Sequence, residues 1–288
     1  MSEETNREQQ STKKGKKGKD QEKEMSFLEH LEVLRWHIVR SFLAVLVFAI
    51  LAFIFKDIIF DEIILKPKTV DFWTNRMFAQ LSDFVGIESL KINTKPLQLI
   101  SITMAGQFSA HIMISLIAGL IAASPYVIYE FWRFLKPALY DNEQQHARGA
   151  AFYMSVLFGM GVLFGYFLIV PLSVHFLGSY SISSEVTNQI NMLSYISTVT
   201  SICFASGVVF ELPILVFFLS KVGLISPPFL KKYRKHAYVL LLLLSAIIPP
   251  PDIFSQILVC IPLVILYEAG IIISKRVVKR AEKEMEAR

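Results

Sequence analysis

The sequence predicts an all-α membrane protein with six transmembrane helices, and three observations support this fold class. Of the 288 residues, 53% are apolar and only 18% are charged, whereas about a quarter of the residues in an ordinary soluble domain are charged. The apolar residues form runs of roughly twenty, the length that a helix needs to cross a bilayer. Lysine and arginine are concentrated between these runs, as in polytopic membrane proteins. A soluble two-domain enzyme is therefore excluded.

Both ends of the chain are polar. Residues 1–24 contain almost no apolar side chain and are rich in lysine, so we expect a disordered tail there. A membrane domain follows over 25–275, and a short C-terminal tail over 276–288. The net charge of +5 does not indicate nucleic-acid binding, because the basic residues form no patch interleaved with aromatic residues. Cys203 and Cys260 lie inside apolar runs and are interpreted as small apolar residues.

The first helix is predicted to begin with an amphipathic stretch. Ser26 and Glu29 have the spacing of a capping box, and Phe27, Leu31 and Leu34 then recur at helical spacing. This stretch leads into a first span over about 41–55. The later spans are predicted over 108–129, 150–170, 193–219, 237–248 and 253–274.

The fifth and sixth spans are short. Twelve residues of helix rise only about 18 Å, whereas the hydrocarbon core is about 30 Å thick. The prolines at 249–251 prevent a longer fifth helix, and the uncharged part of the sixth ends before Glu268. Such helices must thin the bilayer or lie behind other helices or partner subunits.

The distribution of lysine and arginine predicts that both termini are cytoplasmic. The region up to Arg40 holds nine of these residues, the second-to-third connection three, the fourth-to-fifth connection five and the C-terminus six. The other side has six, all within 56–107, where six acidic residues balance them.

The 56–107 segment is too long for a plain linker. Its residues Trp73, Met77, Leu81, Phe84 and Val85 fall on one helical face. They predict a helix lying flat on the outer membrane surface. A small cap that packs on itself is an equally good interpretation.

Four polar residues in the later spans are candidates for function. Glu211 lies near the middle of the fourth span, where a charge costs about 3 kcal/mol by insertion scales. It therefore faces a cavity or a partner, is protonated, or is hydrogen-bonded to a neighbouring helix to hold the fold. Asp252 is explained by capping of the sixth helix. Gln256 can bond to a neighbouring helix or another subunit, and Glu268 is close enough to the inner end to be hydrated.

Motifs of soluble enzymes are missing from the sequence. It contains no phosphate-binding loop, no paired histidines flanking a glutamate and no Gly-x-Ser-x-Gly elbow. His111 and His175 have no acidic or cysteine neighbour at ligand spacing, so we interpret both as packed or interfacial histidines. We expect no metal, no cofactor and no enzymatic activity.

Five stretches together resemble one family. They are HLEVLR at 30–35, FWRFLKPALY at 131–140 followed by Glu143, FELP at 210–213, PPDIFSQ at 250–256 and YEAG at 267–270. In this order the chain resembles TatC, the multispanning subunit of the twin-arginine protein translocase, over 27 to about 275. Each stretch alone is weak, but the ordered set is highly specific.

The resemblance implies a receptor for twin-arginine signal peptides that helps to export folded proteins across the bacterial inner membrane, driven by the proton motive force. It implies a concave arrangement of the spans and partners that include single-span subunits like TatA and TatB, and further TatC copies. Glu143 matches the recognition glutamate of the first cytoplasmic loop, Phe134 an aromatic residue of the same loop, and Glu211 the buried glutamate of the fourth span. The alternative is a proton-coupled transporter of a small solute, with Glu211 as the binding group.

The chain departs from the family at three places. The usual second recognition glutamate is Val33 here, so Glu32 is the favoured substitute and Glu29 the second candidate. The stretch 71–86 resembles an insertion, although Pro67 just before it matches a proline of the family. The entry to the second span, MAGQF at 104–108, also differs.

Overall fold

The fold is taken from a computed structural model, which describes residues 27–88, 91–94, 97–135, 147–183, 185, 188–247 and 253–286. The predicted tail over 1–24 and the three prolines at 249–251 lie outside these residues. The described chain is predominantly helical, and its helices are connected by short turns and by one pair of very short strands.

The first helix, α1, runs without interruption over Phe27–Ile54. The predicted amphipathic stretch and the first span are thus one continuous helix. A π-helical turn at Ile58–Ile64 and a 3₁₀ turn at Lys66–Lys68 lead into α2, which covers Trp73–Val85. The sequence prediction of a helix within the 56–107 segment is correct.

The second and third spans are longer than the apolar runs suggest. Helix α3 covers Gly106–Leu135 and α1 packs along it. Helix α4 covers Ala147–Phe164, and a π-helical turn at Gly165–Ile169 joins it to α5 at Val170–Ser179. The chain stays helical past Pro171 because this proline lies in the first turn of α5, where its missing N–H removes little hydrogen bonding.

The fourth span is interrupted, which the apolar run did not predict. Helix α6 covers Met192–Phe210 and α7 covers Leu212–Lys221, with a turn at Glu211 between them. Pro213 lies in the first turn of α7 and prevents an unbroken hydrogen-bond ladder. Before α6, strand β2 (Ile190–Asn191) pairs in parallel with strand β1 (Leu99–Ile100).

The last helices have very different lengths. A short helix of six residues, α8, covers Pro227–Lys232, and α9 covers only Arg234–Ile247. Helix α10 covers Ile253–Glu286 and packs mainly against α7 and α9. It continues as helix past the predicted end of the sixth span, through a charged stretch that water can solvate.

Four helical stretches of the described chain are long and apolar enough to cross a membrane. They are Leu31–Ile54, Gly106–Phe134, Gly149–Ser179 and Met192–Lys221. They agree with the first four predicted spans.

Small residues allow α4 and α6 to approach closely. A Cβ atom on Gly161 would lie 2.5 Å from the carbonyl oxygen of Ser206 and 2.8 Å from the Cα of Gly207. One turn on, a Cβ on Gly165 would lie 2.9 Å from the Ser206 hydroxyl. This is the small-xxx-small packing that drives helix association in membranes, where no hydrophobic effect acts between helices.

We predict that Gly161→Ala destabilises the protein by about 1–3 kcal/mol, since the added methyl group has no space between α4 and α6. The matched control is Gly159→Ala on the same helix, where a Cβ would have no atom within 4 Å. This control should change the stability by less than about 1 kcal/mol. Thermal unfolding of both purified variants tests the prediction, and equal melting temperatures would contradict it.

Candidate functional site

A buried charged contact joins α1 to α3 near one end of both helices. The Nδ1 atom of His37 donates a hydrogen bond to the Glu130 carboxylate, and Glu130 is only 2% exposed. Tyr126, one turn earlier on α3, also bonds to this carboxylate, and Arg40 adds positive charge nearby. The carboxylate therefore has two partners, as a buried charge requires.

An apolar groove lies beside this contact, between α1 and α3. Its volume is about 310 Å³. Leu34, Ile38 and Phe42 of α1 line one wall, and Phe131 and Phe134 of α3 belong to the other. Since His37 also lines the groove, the His37–Glu130 contact borders this apolar surface. Such a surface fits an apolar peptide segment or a lipid chain.

Two residues predicted for recognition belong to this end of the α1–α3 pair. Glu32 is exposed on α1, five positions before His37. Phe134 is half-buried on α3, and its ring lies edge-on to the His37 ring at 6.1 Å. Phe134 thus packs directly against His37, whereas the Glu32 side chain is exposed to solvent.

Two other predicted residues, Glu143 and Asp252, lie outside the described residues, and so does the side chain of Glu29. The chain that carries Glu143 begins directly after α3, whose last residue is Leu135. Eight positions separate Leu135 from Glu143. This connection leaves α3 at the same end as the groove.

Glu211 lies at the break between α6 and α7. Both of its carboxylate oxygens are buried and lack a well-oriented hydrogen-bond partner among the described residues. The backbone of Phe158 on α4 is the polar group that interacts with it. A purely structural glutamate would be held by better partners, since an unsatisfied carboxyl group costs several kcal/mol in an apolar surrounding. Whether Glu211 acts in function or only in packing stays a prediction, and its buried oxygens are the observation that any assignment must explain.

Gln256 and Glu268 both connect α10 to α9. The Nε2 atom of Gln256 donates to the Leu242 carbonyl oxygen at 3.2 Å. Arg234 donates to both carboxylate oxygens of Glu268, and Tyr238 donates to the same group. These bonds join the short α9 to α10 and assign Glu268 a structural role. Gln256 bonds to a neighbouring helix, one of its two predicted alternatives.

Both histidines that were interpreted as packed have partners within the chain. The ring of His111 stacks on Phe53 at 3.9 Å, and its Nε2 atom lies 3.0 Å from the Phe53 carbonyl oxygen. The Nδ1 atom of His175 accepts a hydrogen bond from the Asn93 backbone at 3.1 Å.

His37 and Glu130 were not among the residues predicted from the sequence. A signal was present, because Glu130 is an acid at the end of an apolar run, between Tyr129 and Phe131. Intramembrane acids usually have a partner or a function. The partner could not be identified, since His37 is 93 positions away.

The chain is similar to known proteins over most of its length. A family model described as Sec-independent protein translocase protein (TatC) matches residues 29–262. The TatC protein of Blattabacterium sp. subsp. Periplaneta americana is 41% identical over 264 residues, which cover 91% of this chain and 99% of the relative. The TatC protein of Aquifex aeolicus is 34% identical, with the same two coverages of 91% and 99%.

Two solved structures also match. Both are crystal structures of a twin arginine translocase receptor, TatC. The first has a TM-score of 0.67 and 33% identity, and covers 85% of this chain and 99% of the solved chain. The second has a TM-score of 0.62 and 31% identity, and covers 87% and 100%.

We predict that His37 and Glu130 stabilise the protein as a coupled pair. His37→Ala leaves a buried carboxylate without its main partner and should cost on the order of 3 kcal/mol. Glu130→Ala should destabilise as well, and the double variant should lose less than the sum of the two. Thermal unfolding in detergent measures all three, with Arg133→Ala, an exposed position on the same helix, as the control. Additive losses would show that the two residues are not coupled.

Proposed function

This chain belongs to the TatC family of Sec-independent protein translocase proteins, and we propose that it is the receptor that recognises twin-arginine signal peptides on folded cargo proteins. The observation that carries the proposal is the apolar groove between α1 and α3. Three residues lie near this end of the two helices or follow it in the chain. Glu32 is exposed there, Phe134 contacts His37, and the connection that carries Glu143 begins after the last residue of α3. An apolar groove beside acidic residues suits a peptide that joins arginines to an apolar segment.

Paired arginines require carboxylates as their partners. A guanidinium group presents a planar set of N–H donors that matches a carboxylate in a two-pronged contact, and lysine cannot reproduce this geometry. We infer that Glu143 binds one of the two arginines. Phe134 is placed to pack against the peptide or to stack on a guanidinium group.

The second arginine has a different partner here than in the usual family pattern, because that position is Val33. Glu32 is exposed on α1 and free of the constraints of burial, so we infer that it replaces the missing glutamate. Glu29 is one turn earlier and is the second candidate. Glu130 is unsuitable for this role in the resting protein, since it is buried and bonded to His37 and Tyr126.

We further propose six spans with both termini in the cytoplasm of a bacterial cell. The excess of lysine and arginine on one side supports this orientation, and it brings the groove to the face where cargo arrives. Helices α9 and α10 would form the fifth and sixth spans. With 14 residues, α9 is too short to cross the hydrocarbon alone.

Partner subunits would complete the short end of the molecule. Large apolar side chains of α9 and α10 are exposed there, among them Val239, Leu243, Ile247, Ile261 and Ile265. Single-span subunits like TatA and TatB, or a second TatC copy, would cover this surface. We propose that the transport is driven by the proton motive force and that the chain is not itself a covalent catalyst.

The alternative of a small-solute transporter is not supported. The matching family model and the relatives named above are protein translocase proteins. We propose that Glu211 serves translocation instead, as a buried polar contact for cargo or for a partner helix.

We predict that cross-linking of a signal peptide to this chain depends on Glu143 and on the arginine pair. A peptide with Arg-Arg should label the wild-type protein strongly. A Lys-Lys peptide, or the Glu143→Ala variant, should reduce labelling about ten-fold or more, since one charged hydrogen-bonded contact contributes about 1.5–3 kcal/mol. Equal labelling in all four combinations would overturn the proposed recognition.

The same assay distinguishes Glu32 from Glu29. Glu32→Gln should reduce labelling by the Arg-Arg peptide more than Glu29→Gln does, because Glu32 is the residue proposed to bind the second arginine. Both variants keep the shape of the side chain and remove its charge. The reverse order would assign the second arginine to Glu29. Neither variant should alter labelling by the Lys-Lys peptide strongly.

A further prediction concerns Glu211. Glu211→Leu removes a buried carboxyl group that lacks good partners. The free energy of unfolding should therefore stay unchanged or rise by up to about 2 kcal/mol, and the melting temperature should not fall. Export of a folded twin-arginine reporter should nevertheless fall. Glu211→Gln, which keeps a polar group, should retain more export than the leucine variant. Loss of stability together with loss of export would instead indicate a structural role.

A further inference from the structure

Helix α2 in the outer segment has three different faces. At about 100° per residue, Trp73, Met77 and Phe84 fall within about 40° of one another. Arg76 and Asp83 form a second stripe, roughly 80–100° from Phe84. A third set of residues faces the protein. Each of these faces has a different surrounding in the structure.

The face toward the protein is polar, which is the reverse of an ordinary surface helix. Thr74 and Asn75 are almost completely buried, at 0% and 2% exposed. The Thr74 hydroxyl donates to the Phe167 carbonyl oxygen. The Asn75 amide donates to the Thr69 carbonyl oxygen at 2.6 Å and to that of Pro67 at 3.1 Å.

A second amide completes this network. Asn93 has a left-handed backbone, with φ of 52°, which asparagine tolerates better than most residues. Its Nδ2 atom donates to the Asn75 side-chain oxygen at 3.3 Å and to the Pro171 carbonyl oxygen at 3.1 Å. These bonds fix the rotation of α2 about its own axis, because turning the helix would break several buried hydrogen bonds at once.

The fixed rotation directs the apolar stripe away from the protein. Trp73 is 62% exposed and Phe84 is 89% exposed, and Met77, Leu81 and Val85 are exposed beside them. Five large apolar side chains on one helix face in water would be unusual for a stable protein. They require a surrounding that is not water.

The position of α2 relative to the spans identifies this surrounding. Its first turn is bonded to Phe167, and the Trp73 ring lies edge-on to the Phe167 ring at 6.1 Å. Phe167 belongs to the apolar stretch Gly149–Ser179, which is long enough to cross the membrane. The same stretch exposes Met160 and Leu163, which lie on its lipid-facing side if it spans the bilayer. Helix α2 therefore begins at the level of a membrane-crossing helix, with a tryptophan at its start, as at membrane interfaces.

The charged stripe supports the same orientation. Arg76 and Asp83 are exposed, and Asp83 forms an ion pair with Lys91 at 2.8 Å. The hydrogen bond from Lys91 to Asp83, together with the negative charge of that carboxylate, raises the pKa of Lys91. The charged groups lie on this stripe, and the apolar stripe has none. This distribution is typical of a helix with water on one side and lipid on the other.

We propose that α2 is an interfacial helix, whose apolar stripe is inserted into the lipid on the membrane face opposite the α1–α3 groove. Its polar face is bonded to the ends of the spans, and its charged stripe contacts water. The helix would hold the 56–107 segment flat against the bilayer. This inference goes beyond signal-peptide recognition and does not depend on it.

Two neighbouring residues provide the test. Phe84 lies on the apolar stripe and Asp83 on the charged stripe. In the full chain with Cys203→Ala and Cys260→Ala, a nitroxide spin label is attached at Phe84→Cys or at Asp83→Cys. The purified protein is placed in vesicles of phosphatidylethanolamine and phosphatidylglycerol. Collisions of the label with oxygen, which concentrates in lipid, and with a water-soluble nickel chelate are then measured.

The label at Phe84→Cys should collide several-fold more often with oxygen than with the nickel chelate, and the label at Asp83→Cys should show the reverse preference. Met77→Cys and Arg76→Cys form a second pair with the same expectation, which guards against a local disturbance at one site. A preference for the nickel chelate at both members of a pair would overturn the proposal, because the segment would then stand clear of the membrane. Low collision rates with both reagents at Phe84→Cys would also overturn it, in favour of a protein partner or a second copy of the chain. Neither measurement requires cargo, so its failure is separate from any failure of signal-peptide binding.

Discussion

A carboxyl group inside an apolar helix costs several kcal/mol unless it finds a partner, and three glutamates of this protein show two responses to that constraint. Glu130 is bonded to His37 and Tyr126, which joins α1 to α3. Glu268 is bonded to Arg234 and Tyr238, which joins α10 to α9. Glu211 has buried oxygens without a good partner. The first two contacts join pairs of helices, and the third glutamate is the group for which a role in translocation was proposed above.

Helix α1 shows why the groove can be preformed. It packs along α3, yet most of its other side chains are exposed, including Trp36, Phe42 and Ile50. The helices approach closely where a Cβ on Gly119 would lie 2.5 Å from the Ala49 backbone nitrogen. A helix held on only one side could tilt easily, so the groove beside it needs additional fixed contacts. The His37–Glu130 contact supplies one of them, next to the groove.

The sequence predicted the helices well and their connections less well, for physical reasons. Apolar runs gave the first four spans, and the face of α2 with Trp73 and Phe84 was read correctly from helical periodicity. Whether this face points to lipid or to the protein depends on Thr74, whose acceptor at Phe167 is 93 positions away. The break at Glu211 had a local signal in Pro213, but the apolar run concealed it. The His37–Glu130 contact likewise requires knowing which helices are neighbours, and a single sequence does not contain that information.

The far end of α1 is also fixed, and this connects the two membrane faces. Beyond Ile54 the chain continues into the π-helical turn, where Tyr166 donates to the Ile63 carbonyl oxygen at 2.7 Å and Tyr195 to that of Ile64 at 2.8 Å. His111 stacks on Phe53 just before this turn. Helix α1 is thus held along α3 and, at its far end, by bonds from the turn after α4 and from α6. An interfacial α2 would add lipid contacts to these bonds, so that the proposed peptide-binding wall would be supported from the opposite side of the membrane.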